Sequence, residues 1–102
     1  MIHVISTIRV QPGKRDACLA VLHDTAAHMK TVPGCLAYNI TVDLPSGLTA
    51  QGTLRPDAVT LVQQWENLEA YRAHLKSDYM QGFKDRIRFL VRSIRLQVLQ
   101  PA

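Results

Sequence analysis

Several hydrogen-bonding side chains fall at positions of this 102-residue sequence where the surrounding pattern calls for an apolar residue. Ser6 interrupts an alternating apolar run near the N-terminus, and Gln63 and Trp65 take alternate positions in a later run. Alternate residues of a strand share a face, so these side chains point the same way as their apolar neighbours. Small-molecule pockets have this composition, with mostly apolar walls and a few placed polar groups. The residues expected to line one hollow are Ser6, Tyr38, Gln63, Trp65, Tyr71 and His74.

His74 is the member of this set best suited to proton transfer, because the ordinary pKa of histidine lies near neutrality. Tyr71 and His74 are three residues apart and share one face of a helix. A structural role stays open, since a single inward-facing histidine is more often a hydrogen-bonded structural residue than a catalyst. A buried Gln63 amide must find partners or cost about 1–3 kcal/mol, which favours a pocket over a plain core.

Other kinds of reactive site are not indicated. The four histidines form no i, i+4 pair and no acidic cluster joins them, so we expect no bound metal. No glycine-rich phosphate loop and no nucleophile elbow is present. Cys18 and Cys35 have no metal-ligand spacing, and we expect both to be free thiols.

Composition and charge limit the classes of partner that this protein is expected to bind. The net charge is +4, and much of the excess lies in residues 84–95, where basic and apolar residues alternate as on a helix with one solvated face. We therefore expect no nucleic-acid partner. No apolar run approaches the ~20 residues that span a bilayer, and the N-terminal segment lacks the features of a secretory signal. The expectations are one domain over residues 1–102, no membrane partner and a cytoplasmic location.

The elements that must position these residues follow from periodicity. Predicted strands cover residues 2–10, 35–43, 58–65 and 93–99. Predicted helices cover residues 14–31, 68–76 and the segment from Ser77 to about Val91. The order indicates an α+β fold of ferredoxin-like βαββαβ topology, an antiparallel sheet with helices on one face. The connection over residues 44–57 is long, which favours a functional flap or a small extra hairpin.

The two faces of the predicted sheet are both apolar. Residues expected to face the helices are Val4, Ile8, Leu36, Ile40, Leu61, Ile94 and Leu96. Residues expected on the opposite face are Ile5, Thr7, Cys35, Ala37, Val62 and Leu99. That second face is too apolar to be left in water, which favours a homodimer with the two sheets packed face to face. A monomer with a half-polar second face is the alternative.

Three segments carry a resemblance to a known family: VPGCLAY at 32–38, QQWEN at 63–67 and AYRAHLKS at 70–77. They resemble the antibiotic-biosynthesis monooxygenase family of dimeric α+β barrels. The resemblance implies a homodimer whose sheets form a barrel, with a pocket between sheet and helices in each protomer. Some members oxidise quinols or other aromatics with O₂ and use no metal or flavin cofactor.

The resemblance also implies roles for individual residues. Trp65 and Tyr71 would be hydrogen bonders that line the substrate ring, His74 a base or orienting group, and Arg86 an electrostatic stabiliser of an anionic intermediate. The expected catalytic residues are His74, Trp65, Tyr71 and Arg86, and the expected substrate-binding residues are Ser6, Tyr38 and Gln63. Many members carry glutamate in place of Gln63 and histidine in place of Tyr79. A non-catalytic ligand-binding protein and a haem-binding or haem-degrading protein are therefore kept as alternatives.

Overall fold

The computed structural model describes residues 1–102 as a four-stranded antiparallel sheet with three helices. The strands are β1 (Ile2–Val10), β2 (Cys35–Thr41), β3 (Ala58–Trp65) and β4 (Val91–Leu99). The helices are α1 (Arg15–Met29), α2 (Leu68–Leu75) and α3 (Asp78–Ile87). The strand order is β2-β3-β1-β4, with every neighbouring pair antiparallel. The predicted ferredoxin-like α+β fold is confirmed, and its second helical region is divided into α2 and α3.

Two capping residues make that division. The Asn67 side chain accepts a hydrogen bond from the Ala70 backbone N–H at 2.9 Å, and the Ser77 hydroxyl accepts one from the Met80 N–H at 3.3 Å. Each bond satisfies a donor that the first turn of a helix leaves free. The Ser77 hydroxyl also donates to the His74 carbonyl at 2.7 Å, so it joins the end of α2 to the start of α3.

The core lies on the helix side of the sheet and has two parts. The larger buried cluster contains Ile8, Val10, Cys18, Leu22, Val59, Leu61, Phe83 and Ile87. The smaller cluster contains Val4, Met29, Trp65 and Tyr71. The first part joins α1 and α3 to the central strands, and the second holds α2 against the end of β3.

Strand β2 departs from the predicted alternation. Leu36 was expected in the core but is 52% exposed, and that prediction is wrong. Cys35 pairs with Trp65 and Ala37 pairs with Gln64, so Leu36 is an extra residue in the strand. Such a bulge reverses the side-chain alternation on one side of it. Cys35 consequently packs against the smaller cluster on the helix side, and its predicted place on the opposite face is also wrong.

Strand β4 keeps the predicted orientation but not the predicted burial. Ile94 pairs with Ile8 and Leu96 pairs with Ser6, so both point to the helix side. They are nevertheless 48% and 47% exposed, which corrects their assignment to the core. The reason is their place in the sheet: β4 is an edge strand, and the helices pack mainly over β2 and β3.

The boundary between α3 and β4 also differs from the prediction. The helix ends at Ile87 rather than near Val91, because Val91 already pairs with Val10 of β1. The Leu90 carbonyl accepts a hydrogen bond from the Gln11 N–H at 2.8 Å, which ties the turn between them to the sheet. The pairing shifts register at this point, and Arg92 is the extra residue on β4.

The connection over residues 42–57 contains neither helix nor strand, so the predicted alternative of an extra hairpin is wrong. A bidentate ion pair closes it: Arg55 Nε and Nη2 donate to the two Asp43 carboxylate oxygens at 2.9 and 2.8 Å. The Arg55 backbone N–H donates to the same carboxylate at 3.0 Å. None of the three helices has the length and apolar content needed to cross a membrane.

Candidate functional site

A hollow of about 330 Å³ lies between the sheet and the helices α2 and α3. Its volume falls in the range of roughly 300–1,000 Å³ that is usual for small-molecule sites. Most of its walls are apolar, and Ile94 and Leu96 of the edge strand form one side. The polar residues in its lining are Ser6, Thr25, Tyr38, Gln63, Tyr71, His74 and Lys84. The structure thus brings five of the six predicted pocket residues together, and Trp65 is the exception.

Strand pairing explains how the sheet contributes three of them. Gln63 is opposite Val4 on β1 and opposite Tyr38 on β2. Ser6 lies two residues beyond Val4 and therefore on the same face. Ser6, Gln63 and Tyr38 form a polar row across three strands beneath the helices, with Ser6 and Gln63 buried and Tyr38 half-buried.

Trp65 lies behind the hollow rather than in its wall. Its side chain is fully buried, and its ring centroid is 5.4 Å from that of Tyr71 and 5.1 Å from that of His74. Its indole Nε1–H donates to the Gln63 side-chain oxygen at 2.9 Å. Trp65 therefore supports the two aromatic rings of α2 and orients the Gln63 amide.

His74 is the ionisable ring in the wall of the hollow. It is 7% exposed, and its Nδ1 atom is sealed from solvent and has no hydrogen-bond partner. Burial, with a smaller contribution from the positive charge of nearby His28, lowers the pKa of His74 below its ordinary value of 6.5. The imidazole is therefore neutral at neutral pH and able to accept a proton.

The two tyrosines of the hollow are hydrogen-bond donors in their neutral form. Burial raises the pKa of Tyr71 and, more strongly, that of Tyr38. Both hydroxyls consequently stay protonated across the physiological range. The hollow then offers one neutral base, His74, among several donors that can stabilise a developing negative charge.

Arg86 lies outside this arrangement. Its Nη2 donates to the Asp24 carboxylate at 3.0 Å on the exposed surface between α3 and α1, and it does not line the hollow. The cation that does line the hollow is Lys84, which is exposed as a whole residue and therefore lies at the rim. A sequence signal for it exists: Met80, Phe83, Lys84 and Ile87 follow helical spacing and all four line the hollow.

A second hollow, here called the outer cleft, lies on the other side of α2. Its volume is about 380 Å³, and its walls come from the end of α1, the Val32–Gly34 turn and α2. His28 lines it, with its ring stacked on that of Tyr79 at a centroid distance of 3.5 Å. His74 is the one residue that lines both the outer cleft and the hollow beneath the helices.

Neither cysteine adds chemistry to these sites. Cys18 and Cys35 are free thiols, as predicted, and burial raises the pKa of both. A raised pKa leaves little reactive thiolate at neutral pH. Nowhere do three or more histidine, cysteine, aspartate or glutamate side chains gather closely enough to hold a metal ion.

Comparison with known proteins assigns the family. The model of the antibiotic biosynthesis monooxygenase family matches residues 1–86. The chain belongs to this family. Among curated proteins, it is similar to "Probable quinol monooxygenase YgiN" of Escherichia coli strain K12, with 32% identity over 104 residues that cover 99% of this chain and 98% of that protein.

Solved structures of proteins from other organisms share the fold of this antibiotic biosynthesis monooxygenase family member. A protein from Deinococcus radiodurans has a TM-score of 0.82 at 19% identity, covering 100% of this chain and 93% of that chain. PA3566 from Pseudomonas aeruginosa has a TM-score of 0.80 at 20% identity, covering 99% and 93%. At such identities the likeness concerns the fold, and function has to be argued from the site.

Proposed function

We propose that this protein is a cofactor-independent monooxygenase that oxidises a small aromatic or quinol substrate with O₂ in the hollow beneath the helices. The observation that carries the proposal is the buried imidazole of His74, its pKa lowered by burial, in the wall of an otherwise mostly apolar space. Its Nδ1 atom is sealed within the fold, so a ligand meets the part of the ring that lines the hollow. A substrate hydroxyl in the hollow is the group that this neutral imidazole deprotonates.

The reaction needs no external reductant. His74 takes a proton from one hydroquinone hydroxyl, and the electron-rich anion gives electrons to O₂. One oxygen atom forms a new C–O bond to the ring and the other leaves as water, so hydroquinone and O₂ become hydroxyquinone and water. The substrate supplies all four electrons that O₂ accepts. The protein contributes general-base catalysis and stabilisation of negative charge.

The other residues of the hollow divide this work. The Tyr38 and Tyr71 hydroxyls are placed to donate hydrogen bonds to the substrate anion, and the Lys84 ammonium at the rim favours its negative charge. Ser6 and the Gln63 amide bind the substrate from the sheet side. Trp65 acts through its neighbours, as a positioning residue for His74 and Gln63. Arg86, held by Asp24 on the surface, has no part in this scheme.

The test is O₂ consumption with a panel of hydroquinones in metal-stripped protein. His74→Gln removes the base but keeps a polar side chain of similar length, and we expect kcat/KM to fall by about 10²–10⁴-fold. His23→Gln changes an exposed histidine of α1 and is the matched control. Unchanged activity in His74→Gln would show that His74 is not the base.

A non-catalytic ligand-binding role is the second candidate, and one observation favours it. The Gln63 side-chain oxygen is committed to Trp65, so no carboxylate or free acceptor stands where many relatives carry glutamate. A ligand that co-purifies with the protein, without O₂ consumption on any hydroquinone, would support this role. Haemin added to the same protein tests haem binding, since a Soret shift that depends on His74 is expected only of a haem protein.

We also propose that two copies pack through the sheet face opposite the helices. Ile5, Ala37 and Val62 lie there half-buried, and Leu99 is 45% exposed on the same face. Such a surface is typical of an isologous dimer. Light scattering with Val62→Glu, and with Thr53→Glu in the loop as control, tests the dimer. The predicted cytoplasmic location is tested separately by cell fractionation.

A further inference from the structure

We infer that the hollow beneath the helices takes an aromatic substrate with a negatively charged substituent, such as a carboxylate, and that Lys84 selects this charge. The inference names the substrate class of the site described above, and for turnover it rests on the proposed function. The hollow lies on the helix side of the sheet, away from the face through which two copies are proposed to pack.

The hollow has a polar end beneath α2. Gln63 and Tyr38 are paired across β3 and β2 near the Trp65 end of the sheet. Tyr71 and His74 of α2 lie over this end, because both rings contact that of Trp65. The groups that bind and deprotonate a ring hydroxyl are therefore gathered at one end of the hollow.

The other end of the hollow is apolar and lies beneath α3. Its floor is the pair formed by Ile8 and Ile94, and Ile87 of α3 covers it. Ile8 lies four residues along β1 from Val4, which pairs with Gln63. A strand advances about 3.3 Å per residue, so the two ends are on the order of 13 Å apart. A single ring held by its hydroxyl at the polar end leaves room for a substituent that points towards α3.

Lys84 lies at the rim of this apolar end. It is three residues before Ile87 on α3, and both line the hollow. Its ammonium takes part in no ion pair, since Asp85 is paired with Arg88 and no acidic residue lies three or four positions away on the helix. A lysine in such a place lays its apolar stem along the wall and keeps its charge at the opening. The charge is therefore available to a ligand in the hollow.

The lining of the hollow is unbalanced in charge. It contains the Lys84 ammonium but no aspartate or glutamate. The Gln63 oxygen accepts from the Trp65 indole, so the free part of that amide is its NH₂ donor. An ammonium group is a compact point charge and selects a ligand by sign of charge more than by shape. A negatively charged substituent is therefore favoured over a neutral one, and a cationic one is repelled.

Calorimetric titration of the full chain with para-hydroxyphenylacetate and para-hydroxyphenylacetamide tests the inference. The two probes have nearly the same shape and differ in charge, and neither is a hydroquinone, so binding is measured without turnover. At low ionic strength we expect the wild type to bind the acid about 2–5-fold more tightly than the amide, as for a solvent-exposed ion pair.

Three variants assign this preference to Lys84. Lys84→Gln should bring the ratio of the two Kd values close to one, and Lys84→Arg should keep the preference for the acid. Lys76→Gln removes an exposed lysine that does not line the hollow and makes the same change in net charge. We expect its ratio to match that of the wild type. Trp65 is the only tryptophan and lies directly behind the hollow, so a change in its fluorescence on titration locates the ligand there.

The outcomes separate this inference from the proposed oxidation. It is overturned if the acid does not bind, if Trp65 fluorescence does not respond, if the wild type binds both probes equally, or if Lys84→Gln and Lys76→Gln lower the preference equally. A preference for the acid that depends on Lys84, without O₂ consumption on any hydroquinone, supports the inference and contradicts only the oxidation. O₂ consumption without a preference for the acid contradicts only the inference.

Discussion

The Trp65 indole donates its hydrogen bond to the Gln63 side-chain oxygen, two positions earlier on the same strand, and both residues are buried. The bond holds the amide with its oxygen towards the tryptophan. Since Gln63 also lines the hollow, its NH₂ group is the part left to donate to a ligand. This one hydrogen bond therefore positions the Trp65 ring behind the hollow and makes the Gln63 side chain a hydrogen-bond donor on the sheet side of the hollow.

Loss of this contact should be visible in stability. Gln63→Leu leaves the buried indole N–H without an acceptor, and we expect the free energy of unfolding to fall by about 1–3 kcal/mol. Gln64→Leu, on the opposite face of the same strand, should change it by no more than about 0.5 kcal/mol. Urea denaturation of both variants measures the difference. Equal effects would mean that the Trp65–Gln63 bond adds nothing to the fold.

The protonation of His74 should respond to His28 across the outer cleft. His28→Phe removes the charge but keeps a ring to stack on Tyr79, so we expect the pKa of His74 to rise towards 6.5. NMR titration of the imidazole measures it, with His23→Phe as control. The other titratable groups in the two hollows that meet at His74 are Glu66, Tyr38, Tyr71 and Lys84, and both variants retain them. An unmoved pKa in His28→Phe would show that burial alone sets it.

The same lowered pKa predicts a dependence of stability on pH. Below pH 6.5 the unfolded chain binds a proton at His74 that the folded chain resists, so the folded state loses stability as pH falls through this range. Above pH 6.5 both states are neutral and the contribution is constant. His74→Gln should flatten this part of the curve of unfolding free energy against pH. A slope identical to that of the wild type would assign the effect to another group.

Gly34 should be intolerant of a side chain. Its φ is +82°, and a Cβ there would lie 2.5 Å from the Ala70 Cβ of α2. Gly13 has a similar φ of +75° with nothing within 4 Å, so Gly13→Ala reports the backbone strain alone, about 1–2 kcal/mol. Gly34→Ala should lower the free energy of unfolding by the same backbone strain and by about 1–3 kcal/mol more for the clash with Ala70. Equal losses in urea denaturation would mean that α2 moves aside freely.

The Asp43–Arg55 pair should govern access to the loop over residues 42–57. The hydrogen bonds from Arg55 lower the pKa of Asp43 to about 2, so the pair stays charged until pH falls through that value. Asp43→Asn weakens the pair, and we expect thermolysin to cut the loop before Leu48 or Leu54 several-fold faster. Asp85→Asn, which weakens an exposed pair with Arg88, is the control. Mass spectrometry assigns the cuts, and equal rates would contradict a closing role for the pair.

Much of the fold was predictable because its signals are local. The β1 and β3 boundaries, the caps at Asn67 and Ser77, and the shared face of Tyr71 and His74 all follow from periodicity within one element. Leu36 could not be placed that way, because its bulge depends on how β2 pairs with β3. Val91 fits a helix or a strand equally well on local pattern, and only its pairing with Val10 decides.

The site was predictable to the extent that it stands on regular elements. Alternation along β1 and β3 placed Ser6 and Gln63, but it could not show that α2 covers Trp65 completely. Arg86 and Lys84 lie two residues apart on α3, and which of them reaches the hollow depends on the rotation of the helix against α1. That rotation is set by tertiary packing and cannot be read from the local sequence pattern of α3.

His74 is shared by two cavities, and the partition between them is therefore a single imidazole thick at that point. Truncation to alanine would join the two cavities, and in the proposed reaction it would give water a second route to a carbanionic or radical species before that species met oxygen. In the proposed mechanism, the His74 ring therefore both accepts the proton and separates the two cavities. A variant that keeps the bulk of the side chain separates these two roles, whereas one that removes it cannot.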